Sequence, residues 1–253
     1  MNPEPPLLII APLTDDFDLA QMLWCEAASE RISVNHAKFK NLEMVEVIVD
    51  AMPFLLSRLT AAETSQRFAA AKDQVPFRDL PSPGDSAIGI EPGDNLTSAR
   101  HLPEINRLLL LLGQWIGEGL KASAAAWMPS RQVTNIANYD EIVRKYLTGG
   151  RFPTLFQTSF SEVRRGHFVT TGLSYFAGQE IRLTAPPDYS DPDTPDRLVR
   201  IIADIATNGK IDRPTRSEGI VQGARLIYSP SNDLGHVDIV IRNDLVDTDL
   251  AKI

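Results

Sequence analysis

Apolar positions along the chain follow two rhythms, and the change between them outlines the fold. The opening run LLIIAPL, residues 7 to 13, is short, continuous and closed by proline, which predicts a buried strand. Thr14 is then expected to cap a helix whose first turn carries Asp15 and Asp16, with Leu19, Leu23 and Ala27 as its buried stripe and Ala20 and Trp24 beside it. MVEVIVDA, rich in β-branched residues, reads as the next strand. FLLSRL continues it or turns into a helix. Thr60 and Glu63 form the T-x-x-E capping box, so a helix should begin there and run through SQRFAAAK. From Pro103 the spacing of Ile105, Leu108, Leu109, Leu112, Ile116 and Leu120 predicts a long amphipathic helix. Gly113, Gly117 and Gly119 weaken such a helix, and close packing against a sheet explains them. SAAAWM reads as a buried strand, and YDEIVRKYL as a helix ended by Gly149-Gly150.

In the second half the rhythm shortens to two. TLFQTSFSEV and HFVTTGLSYF read as extended segments joined by a turn at RRG, followed by the strand EIRLTA. In that strand Ile181 and Leu183 should face the core while Glu180 and Arg182 face out. Gly172 suggests a bulge or close backbone approach. A helix, DRLVRIIADIATNG, should bury Leu198, Ile201, Ile202 and Ile205. The closing hairpin pairs ARLIYS with HVDIVI, pointing Val237, Ile239 and Ile241 one way and His236, Asp238 and Val240 the other. Mixed elements with late antiparallel hairpins predict an α+β fold of largely antiparallel sheet packed with amphipathic helices. The expected organisation is a single domain over 1–253. The alternative is two halves joined near 76–97, within the proline- and glycine-rich stretch PFRDLPSPGDSAIGIEPGDN, where SAIGIE reads as a short strand.

Composition is ordinary for a globular chain of 253 residues, 43% hydrophobic and 23% charged. Cys25 is the sole cysteine, which excludes an intrachain disulfide and a multi-cysteine metal site and fits a cytoplasmic location. The N-terminal segment has no positive region of the signal-peptide kind, and no apolar stretch spans a bilayer, so no membrane partner is expected. The net charge of −8 and the dispersed lysines and arginines argue against nucleic acid and for solubility or a basic protein partner.

Signatures of established chemistry are missing. There is no phosphate loop, no G-x-G-x-x-G and no G-x-S-x-G elbow. His36, His101, His167 and His236 stand apart, with no metal-ligand spacing. Cys25 sits about three turns into its expected helix beside Trp24 and Glu26, away from the helix start that would activate it, and reads as a small buried hydrophobe. Asp188, Asp191, Asp193 and Asp196 cluster before a helix but fail the calcium-loop pattern, so helix capping by Asp193 or Thr194 is the simpler reading. No catalytic, cofactor or metal residue is therefore assigned, and no cofactor is expected. Glu180, His167 and Trp127 are the candidates if a site exists.

Three segments in order, AAAWMPS, then HFVTTGLSYFAGQEIRL, then a proline–acid loop leading to a glycine-terminated helix, resemble an uncharacterised bacterial family, domain of unknown function 4261. The matching positions are Ala124 to Trp127, Thr170 or Thr171, Gly172, Leu173, Phe176, Gly178 and Glu180, and the similarity runs over most of the chain. The sequence departs from the pattern in carrying Ala177 between Phe176 and Gly178, and in lacking a clear glycine–threonine turn near RSEGIVQGA. The resemblance implies a mixed α/β domain in the bacterial cytoplasm and brings no activity with it.

Three functions fit these observations. The first is a non-enzymatic protein-binding protein of inhibitor, immunity or adaptor type, with an unidentified protein partner. The second is an enzyme of unrecognised type with Glu180, His167 or Asp191 in a pocket. The third is a structural subunit of a phage-like or secretion assembly, which would need extended strand edges and a large apolar patch. Oligomeric state is not legible in the sequence.

Overall fold

A computed structural model describes residues 4–14, 16–26, 32–39, 42–70, 84–185, 194–218 and 224–243. The chain forms two compact units, Met1–Phe156 and Gln157–Ile253. The fold is α+β, with one sheet in each unit and both sheets mostly antiparallel.

The first unit carries strands β1 (Leu7–Ala11), β2 (Ile32–Phe39), β3 (Leu42–Val49), β4 (Met52–Leu59), β5 (Ser86–Pro92), β6 (Ala124–Trp127) and β7 (Gln132–Asn135). They run in the order β2-β3-β4-β5-β1-β6-β7, and every neighbouring pair is antiparallel. All five residues of β1 are buried, as the continuous apolar run requires of a strand covered on both faces. On one face Leu7 and Ile9 meet helix α3 (Pro103–Leu120). On the other, Leu8 and Ile10 share a core with Leu59, Ala87, Ala126, Met128, Val133 and Phe68, the last from helix α2 (Ala61–Ala70).

Gly113 of α3 makes that packing possible. A Cβ there would lie 2.6 Å from Leu7 Cδ2 and collide with the Tyr139 hydroxyl. Tyr139 lies on helix α4 (Ile136–Leu147), and its buried hydroxyl donates to the Leu110 carbonyl at 2.8 Å, which ties α4 to α3. Gly117 instead admits Ile136, and Gly119 is exposed, so the expected sheet contact holds for one of the three glycines.

The capping box forms as expected: the Glu63 amide donates to Thr60 Oγ1, and the Thr60 amide donates back to Glu63 Oε2. The first helix, α1 (Leu19–Glu26), begins later than Thr14. Its cap is Asp18, whose carboxylate accepts from the Gln21 amide. The Thr14 carbonyl is already taken by the Arg58 guanidinium at 2.7 Å and by the Phe17 amide, so the chain turns there before any helix starts. Asp50 and Ala51, expected within a strand, form a two-residue turn at positive φ between β3 and β4. SAIGIE becomes β5, a central strand, while the two compact units divide after Phe156.

The second unit carries β8 (Ser159–Arg164), β9 (His167–Thr171), the short helix α6 (Ser174–Ala177), β10 (Glu180–Thr184), helix α7 (Thr194–Asn208), β11 (Thr215–Glu218), β12 (Ala224–Pro230) and β13 (His236–Asn243). A further short helix, α5 (Thr154–Gln157), precedes β8 where an extended segment was expected. The sheet order is β11-β12-β13-β10-β9-β8, with β10 and β13 parallel and the other pairs antiparallel. Ile181, Leu183, Leu226, Tyr228, Val237, Ile239 and Ile241 form one buried face, and the α7 stripe Leu198, Ile201, Ile202 and Ile205 is buried as its spacing predicts. Gln179, fully buried, exchanges two hydrogen bonds with the backbone of Ile211 and so fixes the exit from α7 beside the start of β10. Among the described residues no helix is long and apolar enough to cross a membrane.

Gly113→Val should destabilise the protein by about 2–3 kcal/mol, the cost of overpacking a filled contact. Urea unfolding followed at the tryptophans measures it, and an unchanged midpoint would contradict the close approach of α3 to β1.

Candidate functional site

TTGLSYFAGQEIRL folds as the end of β9, a tight turn, α6 and β10. Gly172 and Gly178 both adopt positive φ, at 95° and 68°, where a side chain is strained. Gly178 closes α6, its amide donating to the Ser174 carbonyl. Glu180 keeps the side of β10 that the alternation predicts, away from Ile181 and Leu183, but its carboxylate turns back onto the preceding loop. Its half-buried carboxylate accepts three bonds from its own loop: from Thr170 Oγ1 at 2.6 Å, from the Gly172 amide at 2.9 Å and from the Ser174 amide at 3.0 Å. Thr170 Oγ1 also accepts from the Ile181 amide at 2.8 Å. A carboxylate with three donors from one turn acts as a clamp, replacing strand bonds that the turn cannot make.

His167 sits at the opposite end of the β9–β10 pair, opposite Thr184, whose hydroxyl lies 3.1 Å from Nδ1. Four residues of extended chain separate the Glu180 and Thr184 positions, about 13 Å at the usual strand rise. The cross-strand neighbour of Glu180 on β13 is His236. Trp127 belongs to the first unit, fully buried on β6 with its ring 6.4 Å from that of Phe156. Glu180 and His167 therefore fall at opposite ends of the β9–β10 pair, and Trp127 belongs to the other unit. Asp188, Asp191 and Asp193, and the side chains of Ala27, Trp24, Cys25, His36 and Thr194, lie outside the described residues. Among the described residues, no group of three or more His, Cys, Asp or Glu side chains is placed to hold a metal ion.

Sequence reading passed over Glu91. It lies on β5, on the sheet face that α2 covers, and burial with the nearby Asp94 charge pushes its pKa up to about 7, opposed by Arg67. Arg67 also reaches Glu4 at 3.5 Å. The signal was present in EPGD: a carboxylate three residues before another, across a proline–glycine turn. Between α3 and α4, burial and the Glu118 charge similarly raise Asp140, against a hydrogen bond from Gln114.

The uncovered face of the second sheet was legible only in part. Arg182 is opposite Asp238, Val240 opposite Ile227, Ile227 opposite Arg216, and Arg242 opposite Arg225, so these residues share one face. Arg182, Arg216, Arg225, Asp238, Val240 and Arg242 are all exposed, Val240 by 37%. The strands at the two margins of this sheet are poor templates for a further strand. β8 carries a register shift between Glu162 and Arg164, and β11 has four residues and follows Pro214.

No family model, no curated protein and no solved structure matches the chain.

Glu180→Ala should cost about 2–3 kcal/mol by stranding the donors of the turn, and Thr170→Val about 1–2 kcal/mol. The double variant should cost less than the sum, because both remove the same bond. Chemical denaturation reads all three, and full additivity would contradict the clamp. Glu91 binds its proton more tightly folded than unfolded, so its favourable contribution is complete below about pH 4.5 and disappears as pH rises through about 7. Glu91→Gln should therefore be near neutral at low pH and stabilise by about 1–2 kcal/mol at pH 8.5, a value reduced for solvent screening. Thermal unfolding across that range tests it, and a pH-independent difference would contradict the assignment.

Proposed function

We propose that the chain is a non-enzymatic protein-binding protein, of inhibitor, immunity or adaptor type, and that the uncovered face of the second sheet is its binding surface. The observation that carries this reading is an exposed face on which an apolar pair, Val240 and Ile227, is bordered by Arg216, Arg225 and Arg242 and by Thr184, Ser229 and Asp238. An apolar centre with a charged and polar rim is the arrangement of protein interfaces. The use of Glu180 within its own loop supports the same reading, since a carboxylate holding three backbone and hydroxyl donors is not poised to move protons. The bulged β8 and short β11 favour a discrete partner over a particle subunit that grows edge to edge. A cytoplasmic location and membership of the domain-of-unknown-function 4261 family belong to the same proposal.

Affinity capture from the native host with the intact chain, beside Val240→Asp and a control at an exposed apolar residue of the first unit, Leu155→Asp, tests the reading. The expected result is a protein held in stoichiometric amount by the intact chain and the control and lost by Val240→Asp. Equal capture by all three, or no capture by any, would overturn it.

A further inference from the structure

We infer that Asn208 is a site of covalent self-modification, losing its side-chain amide as ammonia to become aspartate or isoaspartate, and that the last turn of α7 sets the rate. The glycine that ends this helix creates the site. Gly209 adopts a φ of 90°, the left-handed conformation in which helices close, and its amide donates to the Ile205 carbonyl at 2.8 Å. The same lack of a side chain leaves the Gly209 nitrogen unhindered beside the Asn208 carboxamide. Each of the other asparagines is followed by a residue that carries a side chain.

The reaction consumes only water. The Gly209 nitrogen gives up its proton and bonds to Asn208 Cγ, the bond from Cγ to Nδ2 breaks, and the side-chain nitrogen leaves as ammonia. Water then opens the cyclic imide. Opening at the side-chain carbonyl gives aspartate, and opening at the main-chain carbonyl gives isoaspartate. Asn208 is exposed, so water reaches it. In the folded chain both reacting groups are engaged, the Gly209 amide by Ile205 and Asn208 Nδ2 by Asp204 Oδ1 at 2.7 Å. The ring closes only when this turn opens, and helix ends open at low cost. The product opposes reclosure. A carboxylate at position 208 has no donor for Asp204, repels it across one helical turn, and stands at the negative end of the helix dipole. Further on, Ile211 is held by Gln179, so the opening is confined to a short segment between Ile205 and Ile211.

The test incubates the full chain at neutral pH, folded and in guanidinium chloride, and follows conversion at each asparagine by digestion and mass spectrometry. Asn208 should convert ahead of the other asparagines in both states. It should convert about tenfold or more slowly when folded, since the bonds to Ile205 and Asp204 must break first. Asn208→Asp reproduces one product, and its Gly209 amide should exchange with deuterium about twofold faster than the parent's. Asp204→Asn/Asn208→Asp, which again sets a carboxamide against a carboxylate, should return the exchange toward the parent rate. Circular dichroism confirms that each variant is folded. Conversion led by another asparagine, or a folded Asn208 still intact after many half-times of the unfolded chain, would overturn the site. Equal rates in the two states would overturn the control by α7. Unchanged Gly209 exchange in Asn208→Asp would overturn the effect of the product on the helix end.

Discussion

A sheet cannot end in a tight turn without supplying donors and acceptors for the backbone it interrupts, and in the second unit one carboxylate meets that need. Glu180 gathers the Thr170 hydroxyl and the Gly172 and Ser174 amides, while Thr170 returns a bond from the Ile181 amide. The turn is thereby fixed at both of its ends. With β9 and β10 held in register, Ile181 and Leu183 face the core, and β10 is set to pair in parallel with β13. Every residue of the uncovered face takes its place from that pairing. The glycines serve the same end, since Gly172 and Gly178 take up backbone angles that a side chain resists.

The two units solve the covering of a sheet differently. In the first, β1 is buried on both faces, with α3 brought close by Gly113 on one side and Phe68 of α2 on the other. In the second, the apolar residues alternate, and their outward partners are arginines, an aspartate and Val240. A strand covered on both sides reads as a continuous apolar run, and a strand covered on one side reads as an alternation. LLIIA and HVDIVI are those two patterns.

That contrast explains which parts of the structure were legible in the sequence. Elements whose signal is local were found: the Thr60–Glu63 capping box, the α3 and α7 stripes, and the alternation of β13. ISVNHAKF was not recognised as β2, because its strand character depends on eight paired positions along β3 rather than on its own apolar content. QVTN, as β7, likewise depends on pairing with β6. Thr14 looked like a helix cap, but its carbonyl is claimed by Arg58, a residue distant in sequence. Glu180 lies in a strand whose alternation points it outward, and only the turn before it shows where its carboxylate goes. The elevated pKa of Glu91 needs Asp94 and the sheet around it, and the grouping of four arginines needs the register of four strands.

The central claim is that the loop around Glu180 builds the sheet and the open face of that sheet makes contact with a partner. Amide chemical-shift mapping of the labelled chain with its captured partner separates the two directly. The account predicts perturbations at Arg182, Ile227, Asp238, Val240 and Arg242, with the Gly172 and Ser174 amides unmoved. Perturbations concentrated at Gly172, Ser174 and Glu180, with β12 and β13 unchanged, would contradict it.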